Sequence, residues 1–226
     1  MKRRQWSRDV ERMIQEQLVT RHIRGERLLQ AFREVPRHLF VPESMQDMAY
    51  ADGPLPIGQR QTISQPYIVA LMTQLLALSG EERVLEVGTG SGYQAAILAK
   101  LARKVYSVER IPELAERAER VFLDLELSNI EVTVCDGTMG LPAYAPYDAI
   151  IVTAAAPHVP EPLKDQLALD GFLVLPVGGR DGQMLERWRH TPKGFDRERI
   201  APVAFVPLVG DHGWEEGQQP ERRWQK

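Results

Sequence analysis

Cys135 is the single cysteine in a chain of 226 residues, so no internal disulfide can form and a reducing compartment suits the protein. No stretch approaches the roughly 20 apolar residues that a membrane-spanning helix needs. The basic residues Lys2, Arg3, Arg4 and Arg8 are not followed by an apolar run of signal-peptide length, so no secretion signal is read. Excess positive charge is missing too. The formal net charge is −3, which gives no global basic field to hold nucleic acid or an anionic membrane. No zinc, calcium or iron spacing is present, and no internal repeat. The expectation is a cytoplasmic monomer that binds neither nucleic acid nor membrane.

The residues that are present read as a soluble globular protein, 43% hydrophobic and 26% charged. One domain over 1–226 is expected, divided into a helical N-terminal extension (1–50), a loop and helix (51–80), a sheet core (81–210) and a loosely ordered tail (211–226). Val10, Met13, Ile14, Gln17 and Leu18 keep helical spacing within 9–22. A second helix over 25–34 stops before Pro36. Residues 37–42 read as extended, and 50–66, with Gly53, Pro54, Pro56, Gly58 and Pro66, as a loop with sharp turns. Pro66 then opens a helix to about Leu78.

From Arg83 onward short apolar runs alternate with helical segments. Strands are expected at 84–87, 105–108, 130–134, 148–153 and 172–177, with helices at 92–101, 112–125 and 162–169. This alternation predicts a parallel sheet covered on both faces, and the unbroken apolar run Ala149-Ile150-Ile151-Val152 agrees. Antiparallel strands are expected at 184–189 and 203–206.

Chemistry enters at Val84-Leu85-Glu86-Val87-Gly88-Thr89-Gly90-Ser91-Gly92, a strand running into a helix. Glycines there allow a sharp turn and close approach of a ligand. The dinucleotide pattern is G-x-G-x-x-G, and here the third glycine comes one residue early. A plain structural turn remains open. Glu109, about 20 residues on, ends the second strand, where a carboxylate can accept from both ribose hydroxyls. The alternative is a solvated strand-end charge. Glu86 lies inside a strand, where an unpartnered charge is costly, so it should meet the ligand's polar end or the loop backbone. Asp136-Gly137-Thr138 follows the third strand at the same sheet edge and is placed to meet an adenine, unless it is only a turn.

With these segments in view, the sequence resembles the protein-L-isoaspartate O-methyltransferase family over roughly 35–209. The match includes Leu55-Pro56-Ile57-Gly58, Gln61-Thr62-Ile63-Ser64-Gln65-Pro66, the glycine loop through Tyr93, Val108-Glu109-Arg110 and Asp136-Gly137-Thr138. It continues through 147–155, 176–178 and 205–208. The Thr-Ile-Ser-Gln-Pro element is far more specific than the glycines. The resemblance implies a Rossmann-like class I methyltransferase, an α/β fold with a seven-stranded, mostly parallel sheet and helices on both faces. It implies S-adenosylmethionine as methyl donor, leaving S-adenosylhomocysteine. The acceptor is the free α-carboxylate of an L-isoaspartyl, and possibly D-aspartyl, residue in damaged proteins and peptides; the ester then closes to a succinimide.

The resemblance makes Ser64 the active-site residue. It gives Gly88, Thr89, Gly90, Ser91, Gly92, Glu109, Asp136 and Gly137 to the cofactor, and Glu86 and Arg110 complete that set. Thr62, Ile63, Gln65, Phe205 and Val206 fall on the substrate side. A carboxylate acceptor, with an unperturbed pKa of about 4, is already ionised at neutral pH. No general base is needed, and no compelling His-Asp or Cys-His arrangement offers one. Ser64 would orient the carboxylate by one hydrogen bond; its plain alternative is a helix cap beside Pro66. Arg60 stands where the family often has glycine, and reads either as a solvated charge or as a charge near an anionic substrate. His38, His158, His212 and Cys135 receive no catalytic role, and nothing in the family matches the tail after Gly210. Competing readings are another methyltransferase of this class, a non-catalytic cofactor-binding module, and a dehydrogenase, the last disfavoured by Tyr93 directly after Gly92.

Overall fold

The structure, a computed structural model, describes residues 2–179 and 182–217, with side chains of the first helix from Trp6 onward. That helix, α1 (Lys2–Met13), starts earlier than its periodicity predicted and runs on through a wide turn at Ile14–Leu18 and a tight one at Val19–Arg21. Val10, Met13, Ile14 and Leu18 are buried. Gln17, the polar member of that stripe, donates its Nε2 to the Tyr50 carbonyl at 2.8 Å. Helix α2 (Glu26–Glu34) buries Leu28, Ala31 and Phe32.

The extended segment expected at 37–42 is instead a helical turn, Arg37–Phe40. Arg37 is the cause: its whole side chain is buried, with Nε donating to the Ala49 carbonyl at 2.7 Å and the guanidinium 5.0 Å above the Tyr93 ring. The region read as loop contains a small hairpin, β1 (Leu55–Gly58) and β2 (Gln61–Ile63), closed by Gln59 and Arg60. Both turn residues have positive φ, 49° and 56°. Helix α3 (Pro66–Leu75) follows with proline in its first turn.

The main sheet is built from β3 (Arg83–Val87), β4 (Lys104–Glu109), β5 (Ile130–Val134), β6 (Tyr147–Val152), β7 (Leu167–Gly179), β8 (Gly182–Thr191) and β9 (Gly194–Val203). Their order is β5-β4-β3-β6-β7-β8-β9. The first five pair in parallel, and β8 and β9 add as antiparallel strands. Helices α4 (Tyr93–Ala99), α5 (Pro112–Asp124) and α6 (Glu161–Asp165) complete the fold. The result is the expected seven-stranded, mostly parallel Rossmann-like sheet.

Two apolar layers sit on opposite faces because alternate strand residues point oppositely. Val84, Ala149, Ile151 and Val174 meet the N-terminal helices, α3, α4 and α5. Leu85, Val87, Ile150, Val152 and Leu173 meet α6 and a few aromatic side chains. Helices therefore cover both faces, but unequally.

Two expected boundaries shift. Helix α6 ends at Asp165 rather than 169, because Gln166 is pinned by four bonds. Its Nε2 donates to the Met139 and Pro162 carbonyls, its Oε1 accepts from the Leu141 amide, and its own carbonyl accepts from Tyr147. The last strand is β9 at 194–203, not 203–206. Its charged run, Asp196-Arg197-Glu198-Arg199, sits on an edge strand, where side chains reach solvent. The tail expected to be loose is tied down over 211–217. The Trp214 amide donates to the Leu208 carbonyl at 2.8 Å and its indole to the Ala155 carbonyl at 3.0 Å. Residues 218–226 lie outside those described.

Candidate active site

Strand order reverses at β3: its chain neighbour β4 lies on one side and β6 on the other. In open α/β sheets the loops leaving such a point form the ligand crevice. Here the loops after β3, β4, β5 and β6 and the Val206–Val209 segment surround a cleft of about 1380 Å³, roofed by the β1–β2 hairpin and the start of α3.

The glycine loop forms the floor. Gly88, Gly90 and Gly92 all have positive φ, at 98°, 54° and 87°. A Cβ on Gly88 would meet Thr153 Oγ1 at 2.4 Å, and one on Gly92 would meet Phe122 at 2.8 Å and Ala118 at 2.9 Å. Thr153 Oγ1 donates to the Gly88 carbonyl at 2.6 Å, so the first loop residue after β6 braces the first after β3. The Gly88 amide donates to the Val108 carbonyl at 2.8 Å.

Glu109 closes the loop from the β4 side. Its Oε2 accepts from the Gly90 amide at 2.8 Å, while Oε1 accepts from the amides of Arg110 and Ile111 at 2.8 and 2.9 Å. A carboxylate has about four acceptor positions, so one remains on Oε2.

Ser64 directly follows β2 and lines the same cleft, with Thr62 and Ile63 beside it. The capping alternative is not realised. The helix starts after Gln65 without a side-chain cap, and Ser64 Oγ has no hydrogen-bond partner among the described residues.

Of the sequence-derived site residues, Ser64, Thr62, Ile63, Gly88, Thr89, Gly90, Ser91, Glu109, Arg110, Gly137 and Val206 line this one cleft. Five do not, each for a visible reason. Glu86 projects into the core, where it accepts from Ser107, its cross-strand neighbour on β4. Burial drives its carboxyl group up to about 8, opposed by the Ser107 bond and reinforced by Glu109, which favours the neutral acid at pH 7. Ser107 in turn meets Thr89 Oγ1 at 2.6 Å, which anchors the loop from below.

Gly92 packs against α5, as its missing Cβ requires. Asp136 accepts from the amide and hydroxyl of Thr138 at 2.8 and 2.7 Å and from the Asp211 amide at 2.8 Å. Burial raises its pKa, but these donors outweigh burial and hold it below the usual carboxylate range. It therefore positions Gly137 from behind. Gln65 donates to Asp52 at 2.7 Å. Phe205 spends its amide and carbonyl on the Gln183 side chain, at 2.5 and 3.1 Å.

Residues not singled out from sequence also line the cleft. Thr153 lies within a matched motif but carried no chemical signal. Ile111 gives an apolar wall two residues after Glu109. Glu216 comes from the tail and stands 3.9 Å from Arg110. No histidine, cysteine or lysine lines the cleft among the described residues. His38 is instead buried against Tyr50, 2.7 Å away, and stacked on Trp6.

The protein family described as Protein-L-isoaspartate(D-aspartate) O-methyltransferase (PCMT) matches residues 8–213. Protein-L-isoaspartate O-methyltransferase 1 of Syntrophobacter fumaroxidans is 56% identical over 205 residues, covering 91% of this chain and 96% of the relative. The Protein-L-isoaspartate O-methyltransferase of Trichlorobacter lovleyi is also 56% identical over 205 residues, covering 90% of this chain and 94% of its own. Among solved structures, a protein-L-isoaspartate O-methyltransferase superposes with a TM-score of 0.83 at 27% identity, over 90% of this chain and 67% of the other. A Plasmodium falciparum protein, solved with S-adenosyl-L-homocysteine, shares the fold at a TM-score of 0.77 and 24% identity, over 90% and 98% of the two chains.

Proposed function

The chain belongs to the protein-L-isoaspartate(D-aspartate) O-methyltransferase family, and from that premise we propose how its own residues divide the work. The enzyme methylates the free α-carboxylate of isoaspartyl residues, with S-adenosylmethionine as donor. Bound S-adenosylmethionine supplies an electrophilic methyl group on a sulfonium.

The residues present fit that group. The glycine loop offers main chain without side chains at Gly88 and Gly90, Glu109 keeps one acceptor position for a ribose hydroxyl, and Ile111 and Gly137 give an apolar edge for adenine. Asp136 and Glu86 act one layer behind, by fixing Gly137 and the Ser107–Thr89 contact. Gly92 lets the loop lie against α5.

On the acceptor side, Ser64 donates one hydrogen bond and orients the substrate carboxylate, with Thr62, Ile63 and Val206 shaping the walls. Gln65 acts through Asp52 to hold this turn. Phe205 contributes packing rather than contact. A carboxylate with a pKa of about 4 arrives ionised, so the absence of a histidine or lysine in the described lining suits the reaction. Opposite charges neutralise as the methyl group moves, so a cleft that removes water from the carboxylate favours the step. Alignment of the two reactants is worth roughly 7–11 kcal/mol in favourable cases.

The reading rests on one observation: Ser64 and the glycine loop with Glu109 line the same cleft. The test is base-labile methyl incorporation into an isoaspartyl peptide and its normal aspartyl counterpart. Labelling of the first alone is expected, and equal labelling of both would refute it.

We also assign the enzyme to the cytoplasm, as a monomer acting on damaged proteins and not on nucleic acid. The net charge of −3 and the free thiol of Cys135 support this assignment. Sedimentation at the mass of one 25.6 kDa chain would test the monomer.

A further inference from the structure

Four charged residues line the cleft: Arg60, Glu109, Arg110 and Glu216. Glu109 is engaged by three main-chain amides, and Arg110 faces Glu216. Arg60 alone is uncompensated. It is exposed and has no ion pair or hydrogen bond among the described residues. It also occupies a backbone position that disfavours it. With φ of 56° next to Gln59 at 49°, it closes a hairpin turn of the kind that selects asparagine and glycine. Strain retained beside a ligand cleft points to a function for the residue that bears it.

We propose that Arg60 selects substrates, with its guanidinium meeting a carboxylate side chain two to four residues from the isoaspartyl residue. This deepens the reading above and rests on Ser64 holding the reacting carboxylate. Distance separates the two tasks. Residues 61–63 form β2, so Arg60 lies about 10–13 Å along the chain from Ser64, at roughly 3.3 Å per residue. An extended peptide covers that distance in about three residues. Arg60 therefore reaches a flanking side chain and not the methyl acceptor. Its planar fork suits a carboxylate, and no carboxylate among the described residues competes for it.

The test uses isoaspartyl peptides carrying glutamate, or glutamine as the matched control, at each of the second to fourth positions on either side. Wild type, Arg60→Gln and Arg60→Lys are compared. An exposed ion pair is expected to favour glutamate by about two- to fivefold in kcat/KM at one or more positions. The preference should reside in KM, fade at high salt, vanish in Arg60→Gln and survive in part in Arg60→Lys. A ratio near one at every position in wild type overturns the proposal, as does a preference that persists in Arg60→Gln. Equal losses on glutamate and glutamine peptides also overturn it, since Arg60 would then serve the reacting carboxylate or the hairpin's shape. If wild type labels no isoaspartyl peptide at all, the reading of Ser64 fails first and this proposal falls with it.

Discussion

Replacing Glu86 by glutamine asks whether the acid beneath the glycine loop is neutral. Glu86 is fully buried and accepts one bond, from Ser107. Burial raises its pKa from 4.5 to about 8, against the pull of Ser107 and with the push of Glu109. Below pH 4.5 the group is protonated in both native and unfolded chains, and its contribution is fully present. Between 4.5 and 8 the native protein holds a proton that the unfolded chain has released, so stability falls as pH rises. Above 8 both forms are ionised and the loss is complete.

Each pH unit in that window costs about 1.4 kcal/mol, so wild type has lost about 3 kcal/mol by pH 7. Glutamine keeps the acceptor for Ser107 and has nothing to ionise. Its amide brings two donor hydrogens where the neutral carboxyl group brought one, and the extra unpartnered donor costs about 1 kcal/mol. The two stability curves should therefore meet near pH 5, with the variant about 2 kcal/mol more stable at pH 7. For a chain of this length that is a rise of roughly 4–8 °C in Tm. Thermal unfolding of both proteins from pH 5 to 9 reads it directly. Parallel curves, or a variant less stable throughout, would show that Glu86 is charged in the folded protein.

The remaining predictions concern the cleft. Gly88→Ala places a Cβ 2.4 Å from Thr153 Oγ1 at a φ of 98°, and the resulting strain of ~1–3 kcal/mol should weaken S-adenosylmethionine binding at least about fivefold by calorimetry. Glu109→Ala leaves the amides of Gly90, Arg110 and Ile111 without their acceptor, so cofactor Kd should rise by an order of magnitude or more; unchanged affinity would remove its ribose role. Ser64→Ala removes one orienting bond, so kcat should fall about tenfold with cofactor affinity nearly constant; the reverse pattern would make Ser64 part of the cofactor site. Arg60→Gly relieves a left-handed residue, worth ~1 kcal/mol or a few degrees in Tm.

What could be read from sequence was whatever the chain states locally. The glycine loop, the helix opened by Pro66 and the doubly buried β6 each carry their cause within a few residues. Glu86 shows where that ends. The sequence says that a carboxyl group inside a strand needs a partner, but only the parallel register of β3 on β4 sets Ser107 opposite it. Arg37 is similar, since nothing nearby in sequence announces that Ala49 and Tyr93 will enclose a guanidinium. Strand β9 is not legible in the sequence because an edge strand tolerates charge on both faces, which erases the apolar signal that marks a strand. The segment 211–217 reads as loose by composition, yet besides the nearby Leu208 its bonds go to Asp136, Thr138 and Ala155, all distant in sequence.

These long-range contacts account for a loop that is shaped before any ligand arrives. Thr153 braces Gly88 from β6, Glu109 holds the Gly90 amide from β4, and the Glu86–Ser107 pair supports Thr89 from the core. Two side chains of β4 and the residue after β6 thus fix three successive loop residues. A loop so held loses little further freedom on binding, so more of the contact energy is left for affinity. The acceptor side is built differently: Ser64 carries no such bracing, and its hydroxyl is unengaged among the described residues. Rigidity on the donor side and freedom on the acceptor side suit an enzyme with one invariant small partner. Its other partner is a damaged residue met in many chain contexts, and a wall that accepts varied peptides must leave their recognition to a few outlying contacts such as Arg60.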